Sequence, residues 1–291
     1  MFDILVIGSI NADLVFISDI RPKAGETVMG KDFKVLPGGK GANQAIAAAR
    51  LGKKVGFIGC VGNDDNGKKL IENLRRNNVE TQYIQIVDDV PTGVANIVVA
   101  EEDNSIIVIP GANYSISKDM IDKNMDILLN SKLILLQNEI PMEVIEHIID
   151  LCFGKDIKVI LNPAPAVKLK ESIVNKIDYL TPNEHECKIA FGNPNTDGLL
   201  TKYPNKLIVT VGDKGVLYHD GNKKVNIPAF KVDVVDTTGA GDSFNGAFAV
   251  AIVEGNSLYE SLLFANKAAA ISVTKIGAQE GMPYLEDLKG L

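Results

Sequence analysis

Asp236-Thr237-Thr238-Gly239-Ala240-Gly241-Asp242-Ser243-Phe244-Asn245-Gly246 joins a polar, glycine-rich turn to an apolar helical pattern. Thr238 is the predicted N-cap, and Gly239 and Gly241 lack side chains, so backbone N–H groups there can approach a ligand. A helix start of this kind presents free N–H donors and the positive end of the helix dipole, which suit a phosphate. We call Gly239–Gly241 the glycine turn and predict that it binds an anion through the N–H groups of Ala240 and Gly241.

Asp242 brings a negative charge into the first turn of this helix. A carboxylate there favours the helix dipole, but it would repel the anion that the turn is shaped to hold. Two interpretations follow. Asp242 either takes a proton from an attacking hydroxyl group, or it only caps the helix.

Two other phosphate-binding motifs are disfavoured by single residues. A dinucleotide-binding G-x-G-x-x-G motif beginning at Gly239 would need glycine where Phe244 stands, which argues against a nicotinamide-dependent dehydrogenase. A P-loop at residues 62–69 would need Ser or Thr in place of Lys69, and it would have Asp64 and Asp65 in the phosphate cradle. That stretch is predicted to be a loop that opens an exposed helix.

Composition excludes several functional classes. The 291 residues are 46% hydrophobic and 23% charged, and the net charge of −7 argues against nucleic acid as a partner. The longest uncharged apolar stretch, 243–253, is far shorter than the ~20 residues that cross a bilayer, so neither a targeting segment nor a membrane partner is predicted. Cys60, Cys152 and Cys187 are widely spaced, which predicts a reduced, cytoplasmic protein without disulfides or zinc.

Short apolar runs alternate with helical patterns along most of the chain, which predicts an α/β fold: an open, mostly parallel sheet with helices on both faces. The predicted strands are 4–8, 54–59, 133–137, 158–161, 179–181 and 207–211, and the predicted helices are 41–51, 66–77, 117–130, 141–153, 184–191, 242–254 and 258–276. Alternating segments near 11–37 and 88–110 do not fit that layer. They predict a separate small β-sheet with a polar hairpin turn at Glu101-Glu102-Asp103-Asn104.

Polar candidates follow the predicted strands. Because the carboxyl ends of parallel strands meet at one edge of a sheet, these residues should gather where ligands bind in open α/β folds. They are Asn11, Glu139, Asn162, Asn183 and Gly212.

Each polar motif also has a purely structural interpretation. Asn11 and Asp13 can grip adjacent hydroxyls of a polyol from one face of an extended chain, or form an Asx turn. The glycines of 38–41 allow a close ligand approach or serve only tight geometry, and Glu139 is either a ligand or a solvated strand end. Asn183 and Glu186 are a nucleotide motif or a helix capping box.

The motifs taken together resemble the ribokinase-like family of sugar kinases, whose C-terminal signature is D-T-x-G-A-G-D. The resemblance covers residues from about 4 to 283 in the expected order. It is carried by Asp236–Gly246, Gly8-Ser9-Ile10-Asn11-Ala12-Asp13, Gly38-Gly39-Lys40-Gly41-Ala42-Asn43-Gln44-Ala45, Asn162-Pro163-Ala164-Pro165-Ala166, Thr181-Pro182-Asn183-Glu184 and Gly277-Ala278-Gln279.

This resemblance implies transfer of the ATP γ-phosphoryl group to O5 of D-ribose, with Asp242 as general base and the glycine turn (Gly239, Ala240, Gly241) as anion hole. It implies sugar contacts from Asn11, Ala12, Asp13, Gly39, Lys40, Gly41, Ala42, Asn43, Glu139 and Asp242. It implies nucleotide contacts from Asn183, Glu186, Thr210, Val211, Gly212, Asp213, Lys214, Gly215, Gly241 and Asn266.

The same resemblance implies two cations. Mg²⁺ would bind near Glu186, where one carboxylate with several waters is sufficient. K⁺ would bind, mostly through backbone carbonyls, at Asp236, Thr238, Ser272, Lys275, Gly277 and Gly281.

In this family the small β-sheet is a lid over the sugar, which divides the chain into an α/β domain (1–10, 38–87 and 111–291) and the lid (11–37 and 88–110). Exposed lid edges predict a homodimer through the lid. A kinase of the family for another sugar or a nucleoside stays open. An inert sugar-binding protein would predict damage to Asp242 or the glycine turn, and both are intact.

Overall fold

The computed structural model describes residues 1–101 and 103–290. Its strands, in chain order, are β1 (Ile4–Ile7), β2 (Asn11–Ile17), β3 (Asp32–Gly38), β4 (Val55–Gly62), β5 (Val79–Val87), β6 (Gly93–Ala100), β7 (Asp103–Ile109), β8 (Leu133–Gln137), β9 (Lys158–Asn162), β10 (Tyr179–Leu180), β11 (Ile208–Thr210), β12 (Val216–His219) and β13 (Lys224–Ile227). Its helices are α1 (Lys40–Arg50), α2 (Asp65–Arg76), α3 (Lys118–Lys123), α4 (Met125–Leu129), α5 (Met142–Cys152), α6 (Glu171–Lys176), α7 (Glu184–Phe191), α8 (Thr196–Lys202), α9 (Ala240–Val253), α10 (Leu258–Ser272) and α11 (Ala278–Gly281).

A six-stranded parallel sheet in the order β10-β9-β8-β1-β4-β5 forms the centre of the molecule. Its strands β1, β4, β8 and β9 are mostly buried apolar runs because helices cover both faces, whereas the edge strand β5 is half-exposed. The alternation is visible in β1, where Ile4 and Val6 pack into one apolar core while Leu5 and Ile7 pack into the other. The predicted fold class, an open parallel sheet with helices on both faces, is confirmed.

A second sheet, in the order β3-β2-β6-β7, is the predicted small β-sheet, which we call the lid sheet. Its outer pairs are antiparallel, but β2 and β6 at its centre are parallel, with Asn11 opposite Gly93. The sequence did not predict this central pairing, because it joins segments that are far apart in the chain. Glu102, in the predicted hairpin turn between β6 and β7, lies outside the described residues.

Several elements differ from their predictions. Helix 117–130 is two helices, α3 and α4, which meet at Asn124, whose side chain donates from Nδ2 to the Met120 carbonyl. Strand β5 at the sheet edge, the hairpin of β12 and β13, and the short helices α6, α8 and α11 were not predicted. All are short or half-exposed, so their apolar periodicity is weak.

Strands β11, β12 and β13 form a third, antiparallel sheet. Isolated parallel bridges, Leu180 with Leu207 and Asn183 with Thr210, continue the central sheet into it. None of the helices within the described ranges is both long enough and apolar enough to span a membrane.

Candidate active site

The glycine turn begins helix α9 through its backbone. Gly239 is the N-cap residue, in the left-handed region at φ 78°, where glycine is favoured. The prediction that Thr238 is the N-cap is wrong, because the Thr238 hydroxyl donates instead to Oδ1 of Asp236, at 2.6 Å. The Ala240 N–H donates to the Thr237 carbonyl at 3.2 Å, whereas Gly241 is exposed and borders open space.

The Asp242 carboxylate is 8% exposed and is held by helix α1. Oδ2 accepts a hydrogen bond from Asn43 Nδ2, and Oδ1 accepts one from Gln44 Nε2, each at 2.9 Å. Gln44 Nε2 also donates to Oδ1 of Asn162 at 3.1 Å. The side chain therefore faces α1 and the end of β9, which fits a reactive carboxylate better than a cap of its own helix.

Asp242 lines a cavity of about 200 Å³, which we call the polar cavity. Its walls come from the carboxyl ends of β9, β10 and β11, from α7 and from the start of α9. They are Lys40, Asn162, Ala164, Thr181, Asn183, Glu186, Thr210, Gly239, Gly241, Asp242 and Asn245. The predicted gathering of candidates at this edge holds for Asn162 and Asn183.

Charges concentrate around the polar cavity. Burial opposes the charge of the Lys40 ammonium, but nearby carboxylates, led by Asp242 and Glu139, outweigh it and raise the pKa of Lys40. Burial, reinforced by Glu139 and Asp242, raises the pKa of Asp13 to about 7. Burial likewise raises the pKa of Glu186. Lys40 is thus a half-buried cation among four carboxylates.

The predicted sugar-side residues lie next to this cavity. Glu139 Oε2 accepts from the Ser9 hydroxyl at 2.5 Å and from the Lys40 N–H at 3.1 Å, so it is bound rather than freely solvated. Asn11 Oδ1 accepts from Asn113 Nδ2 at 2.7 Å, which fixes the Asn11 amide. The Asx-turn interpretation of Asn11 is therefore not what forms, since its side-chain oxygen pairs with a distant residue.

Three predicted sugar contacts have no free side chain to offer. Ala12 and Ala42 are 1% and 2% exposed, in the apolar core, and the Ala42 N–H donates to the Ser9 carbonyl. Gly41 is packed so tightly on Gly8 and Ser9 that a side chain there would overlap their backbone. These positions pack around the start of α1, which carries Lys40 and Asn43.

A second cavity, of about 870 Å³, adjoins the other side of the glycine turn, and we call it the apolar cavity. It is lined by Gly212, Asp213, Lys214, Asn226, Pro228, Ala229, Phe230, Lys231, Val232, Val234, Thr237, Ala240, Asn266, Ala269, Ala270 and Val273. Four predicted nucleotide residues, Gly212, Asp213, Lys214 and Asn266, thus line one space. Asn266 Nδ2 donates to the Ile227 carbonyl at 3.1 Å, which holds its amide in the wall.

The other predicted nucleotide residues have structural partners. Val211 and Gly215 close the turn around Gly212–Lys214, with the Val211 N–H donating to the Gly215 carbonyl at 2.9 Å. Asn183 and Glu186 form the capping box of α7, with both hydrogen bonds at 2.8 Å. The capping interpretation is correct, and the same two residues also line the polar cavity.

The predicted potassium residues lie just before α9 and along the segment from the end of α10 to the end of α11. Asp236 Oδ2 accepts the Gly277 N–H at 2.9 Å, and hydrogen bonds from Thr238 and Gly277 outweigh burial, so the pKa of Asp236 is lowered. A side chain at Gly281 would overlap the Ser272 carbonyl, and Lys275 is exposed between them. Backbone carbonyls and a carboxylate are hard oxygen donors, the kind of ligand that an alkali cation takes.

Mg²⁺ has fewer protein donors. Within residues 1–101 and 103–290, no group of three or more His, Cys, Asp or Glu side chains could hold a metal ion. The Glu186 carboxylate at the polar cavity fits the low protein-ligand count of Mg²⁺ bound together with phosphate and water.

Sequence reasoning missed the side chains that hold the site in shape. Ser9, Gln137, Asn113, Thr181 and Asn245 each pair with a residue far away in the chain; Thr181 Oγ1, for example, donates to Asn245 Oδ1 at 2.5 Å. Motifs quoted from the sequence contain several of these residues, but none was given a role there: Ser9, Gln44, Thr181, Asn245 and Gln279. No local spacing predicts such contacts.

The chain is similar to known carbohydrate kinases over its whole length. Residues 1–285 match the pfkB family of carbohydrate kinases. The chain is 48% identical over 291 residues to the ribokinase of Bacillus subtilis (strain 168), covering 100% of this chain and 99% of that protein. It is 41% identical over 297 residues to a deoxyribokinase of Salmonella typhi, covering 98% and 96%. The solved structure of Arabidopsis thaliana ribokinase complexed with ribose and ATP matches with a TM-score of 0.91 at 34% identity, covering 99% and 97%.

Proposed function

This chain belongs to the pfkB family of carbohydrate kinases, and we propose that it transfers the γ-phosphoryl group of ATP to O5 of D-ribose, giving D-ribose 5-phosphate and ADP. The observation that carries the proposal is Asp242, a buried carboxylate that lines the polar cavity beside the glycine turn, while Ala240 of the same turn lines the apolar cavity. The similarity to ribokinases, including one solved with ribose and ATP, supports ribose as the acceptor.

In the proposed reaction, Asp242 accepts the proton of the sugar 5-hydroxyl as that oxygen bonds to the γ-phosphorus. The bond between the γ-phosphorus and the β,γ-bridging oxygen breaks, and the electron pair leaves with ADP. Asn43 and Gln44 orient the carboxylate by donating to its two oxygens. A positioned general base of this kind contributes about 10²–10⁴-fold to the rate.

Two positive features would stabilise the transferred phosphoryl group. The Lys40 ammonium lies among the carboxylates of the polar cavity and so stays charged there. The exposed backbone of Gly241, at the positive end of α9, supplies donors where negative charge develops. The Ala240 N–H is the second predicted donor. It donates to the Thr237 carbonyl, and this hydrogen bond would have to break before the N–H could donate to the phosphoryl group.

For the nucleotide, we propose that the apolar cavity holds the adenosine part and that Asn266 is an adenine neighbour. Glu186 and Asn183 would hold Mg²⁺, which when bound neutralises phosphate charge. Asp236 and the carbonyl groups of its neighbouring loops would hold K⁺ beside the glycine turn. The apolar lining and the oxygen donors described above support these assignments.

We propose that the lid sheet closes over the sugar from Asn11 and Asp13, as a unit distinct from the α/β domain. Register supports this orientation, because Asp13 and its strand neighbour Ala95 share one face of the sheet. The opposite face exposes Phe16, Phe33, Val35, Ile107 and Ile109. Such an apolar surface supports a homodimer through the lid. Three buried cysteine thiols, Cys60, Cys152 and Cys187, support a reducing, cytoplasmic setting.

ADP release from Mg-ATP with D-ribose tests the function, set against 2-deoxyribose, fructose and adenosine, each in potassium and in sodium. We expect a clear ribose preference with stimulation by potassium. Preference for another acceptor keeps the kinase mechanism and contradicts ribose as the substrate. An absence of turnover with every acceptor would support an inert sugar-binding protein.

A further inference from the structure

Asp242 is the end point of a chain of side-chain amides that starts near the protein surface. Asn73 Nδ2 donates to Gln279 Oε1 at 2.7 Å, and Gln279 Nε2 donates to Asn43 Oδ1 at 2.8 Å. Asn43 Nδ2 then donates to Asp242 Oδ2 at 2.9 Å. The four residues lie on α2, α11, α1 and α9, so the chain crosses four helices.

We propose that Asn73 and Gln279 are positioning residues for Asp242, acting as an amide relay (Asn73, Gln279, Asn43) of fixed polarity. The relay keeps an N–H donor aimed at one oxygen of the carboxylate. This inference rests on the proposed function, in which Asp242 accepts the proton of the sugar hydroxyl. Neither Asn73 nor Gln279 lines the polar cavity, so their effect passes through Asn43.

The polarity of the amide relay follows from its last member. An ionised carboxylate only accepts hydrogen bonds, so Asn43 must present its NH₂ group to Asp242 and its oxygen to Gln279. Gln279 must then donate with its nitrogen and accept with its oxygen, which requires a donor from Asn73. Each amide is therefore locked by its neighbour, and reversing any one of them reverses those that follow.

Burial makes the polarity costly to break. Asn43 and Gln279 are 6% and 3% exposed, so water cannot easily replace a lost partner. Gln279 is also anchored through its backbone, because Arg50 Nη1 donates to the Gln279 carbonyl and, at 3.0 Å, to the Met282 carbonyl. Only Asn73, at the outer end, is half-buried, where water can take its place.

The amide relay has a chemical consequence at Asp242. With an N–H aimed at each oxygen, the carboxylate plane is fixed, and the remaining lone pairs stay available for the substrate proton. If Asn43 reversed, its oxygen would face Asp242 Oδ2 and repel it. The carboxylate would then rotate away from the acceptor hydroxyl, so the amide relay affects turnover more than ATP binding.

The test compares two substitutions at the outer end. Asn73→Ala removes the hydrogen bond at the outer end of the relay, where water can donate to Gln279 Oε1 in place of Asn73. We therefore expect kcat to fall less than about 3-fold. Asn73→Asp keeps the shape but has no donor, so Gln279 and then Asn43 must reverse. We expect kcat to fall about 10-fold to 100-fold, equivalent to losing a hydrogen bond to a charged group, with the KM for ATP nearly unchanged.

The amide relay thus predicts a larger loss of kcat in Asn73→Asp than in Asn73→Ala. A purely structural residue would give the reverse, because the isosteric aspartate would be the milder change. Asn77→Asp is the matched control, because it adds the same charge one helical turn away, where Oδ1 can still accept from Arg50 Nε. It also removes the hydrogen bond from Asn77 Nδ2 to the Asn73 carbonyl but leaves the Asn73 side-chain donor in place. A kcat for Asn73→Asp equal to or above that of Asn73→Ala would overturn the amide relay. An equal loss in Asn77→Asp would also overturn it, because added charge or a disturbed end of α2, and not the Asn73 side-chain donor, would then explain the effect.

A second measurement does not depend on turnover. In protein labelled with ¹⁵N at asparagine side chains, the NH₂ signals of Asn43 are identified by their loss in Asn43→Ser. We expect Asn73→Asp to shift these signals strongly, and Asn73→Ala and Asn77→Asp to shift them little. If the wild-type protein phosphorylates no acceptor, the proposed function fails, yet these signals still decide the relay. Unmoved signals in Asn73→Asp would overturn it.

Discussion

Gln44 Nε2 lies 2.9 Å from Oδ1 of Asp242, although the two residues are 198 positions apart in the chain. Gln44 is fully buried, and its own oxygen accepts from Gln137 Nε2 at 2.7 Å, so the amide cannot turn over. The donor is therefore aimed at the carboxylate before any substrate binds. Such preorganisation is how a folded protein lowers the barrier of a proton transfer.

Replacing Gln44 by methionine keeps the volume of the side chain and removes the donor. We expect kcat to fall about 10-fold to 100-fold, because one hydrogen bond to a charged group is lost. The KM for ATP should stay nearly unchanged, since the apolar cavity is untouched. Steady-state kinetics with thermal denaturation as a folding control measures this, and wild-type turnover in a folded variant would contradict it.

Asp242→Asn removes the proton acceptor. We expect turnover to fall by about 10²–10⁴-fold, with a much smaller change in sugar affinity. Turnover is measured by ADP release, and sugar affinity by isothermal titration calorimetry. Unchanged turnover would refute the assignment of Asp242 as general base.

Asp13 predicts a pH dependence of stability. Its pKa in the folded protein is raised to about 7 from 3.8, so between these values the folded chain binds more protons than the unfolded chain. The free energy of unfolding should therefore fall as the pH rises from 4 to 7, and the contribution of neutral Asp13 is lost above 7. Asp13→Asn has no carboxyl group at this position, so this loss of stability should be absent. Between pH 5 and pH 8 the free energy of unfolding of the ligand-free variant should therefore fall by about 1–3 kcal/mol less than that of the wild type.

Urea denaturation at pH 5 and pH 8 measures the Asp13 effect. Asp32→Asn is the matched control, because Asp32 is an exposed carboxylate in the same sheet. We expect its pH dependence to equal that of the wild type. A pH dependence of Asp13→Asn identical to the wild type would mean that Asp13 ionises as it does in the unfolded chain.

Ile107 tests the lid as a dimer surface. It is 64% exposed, next to other apolar side chains of the lid sheet. An aspartate there would lose its water in the dimer interface and would lie near the same negative charge of the second subunit, and both effects oppose association. We expect Ile107→Asp to weaken the dimer at least 10-fold, measured by size-exclusion chromatography with light scattering. Ile86→Asp, at a 53% exposed isoleucine of β5, should leave the oligomeric state unchanged. A monomeric wild type would contradict the proposal outright.

Asp236 tests the potassium site without measuring turnover. We expect the wild-type protein to be more stable in potassium chloride than in sodium chloride of equal concentration, by about 1–3 kcal/mol near saturation. Asp236→Asn should abolish the difference, because the amide carries no negative charge and has only one oxygen to share between the Gly277 N–H and the cation. Asp233→Asn, at a nearby exposed aspartate, should retain it. Equal stabilisation in both salts would count against the site.

Most of the central sheet and the glycine-rich turn before α9 were predictable because their causes are local. A strand buried on both faces is apolar, as β1 (Ile4–Ile7) is along its whole length, and the left-handed backbone before α9 favours glycine at Gly239, although Thr238 was the predicted N-cap. The capping box of Asn183 and Glu186 is equally local, since its two members are three residues apart. Weakly periodic elements such as β5 and α8 have no such signal and were missed.

Tertiary structure alone decided how the site is held. Gln279 meets Asn43 across 236 residues, and Asn113 meets Asn11 across 102, so the partner of each amide depends on how whole helices and strands pack. The sequence placed Asp242 at a turn predicted to bind an anion and left open whether it is a base or a cap. The fold adds that the carboxylate is buried against α1, where the amides of Asn43 and Gln44 donate to its two oxygens, and this contact supports the proposed base.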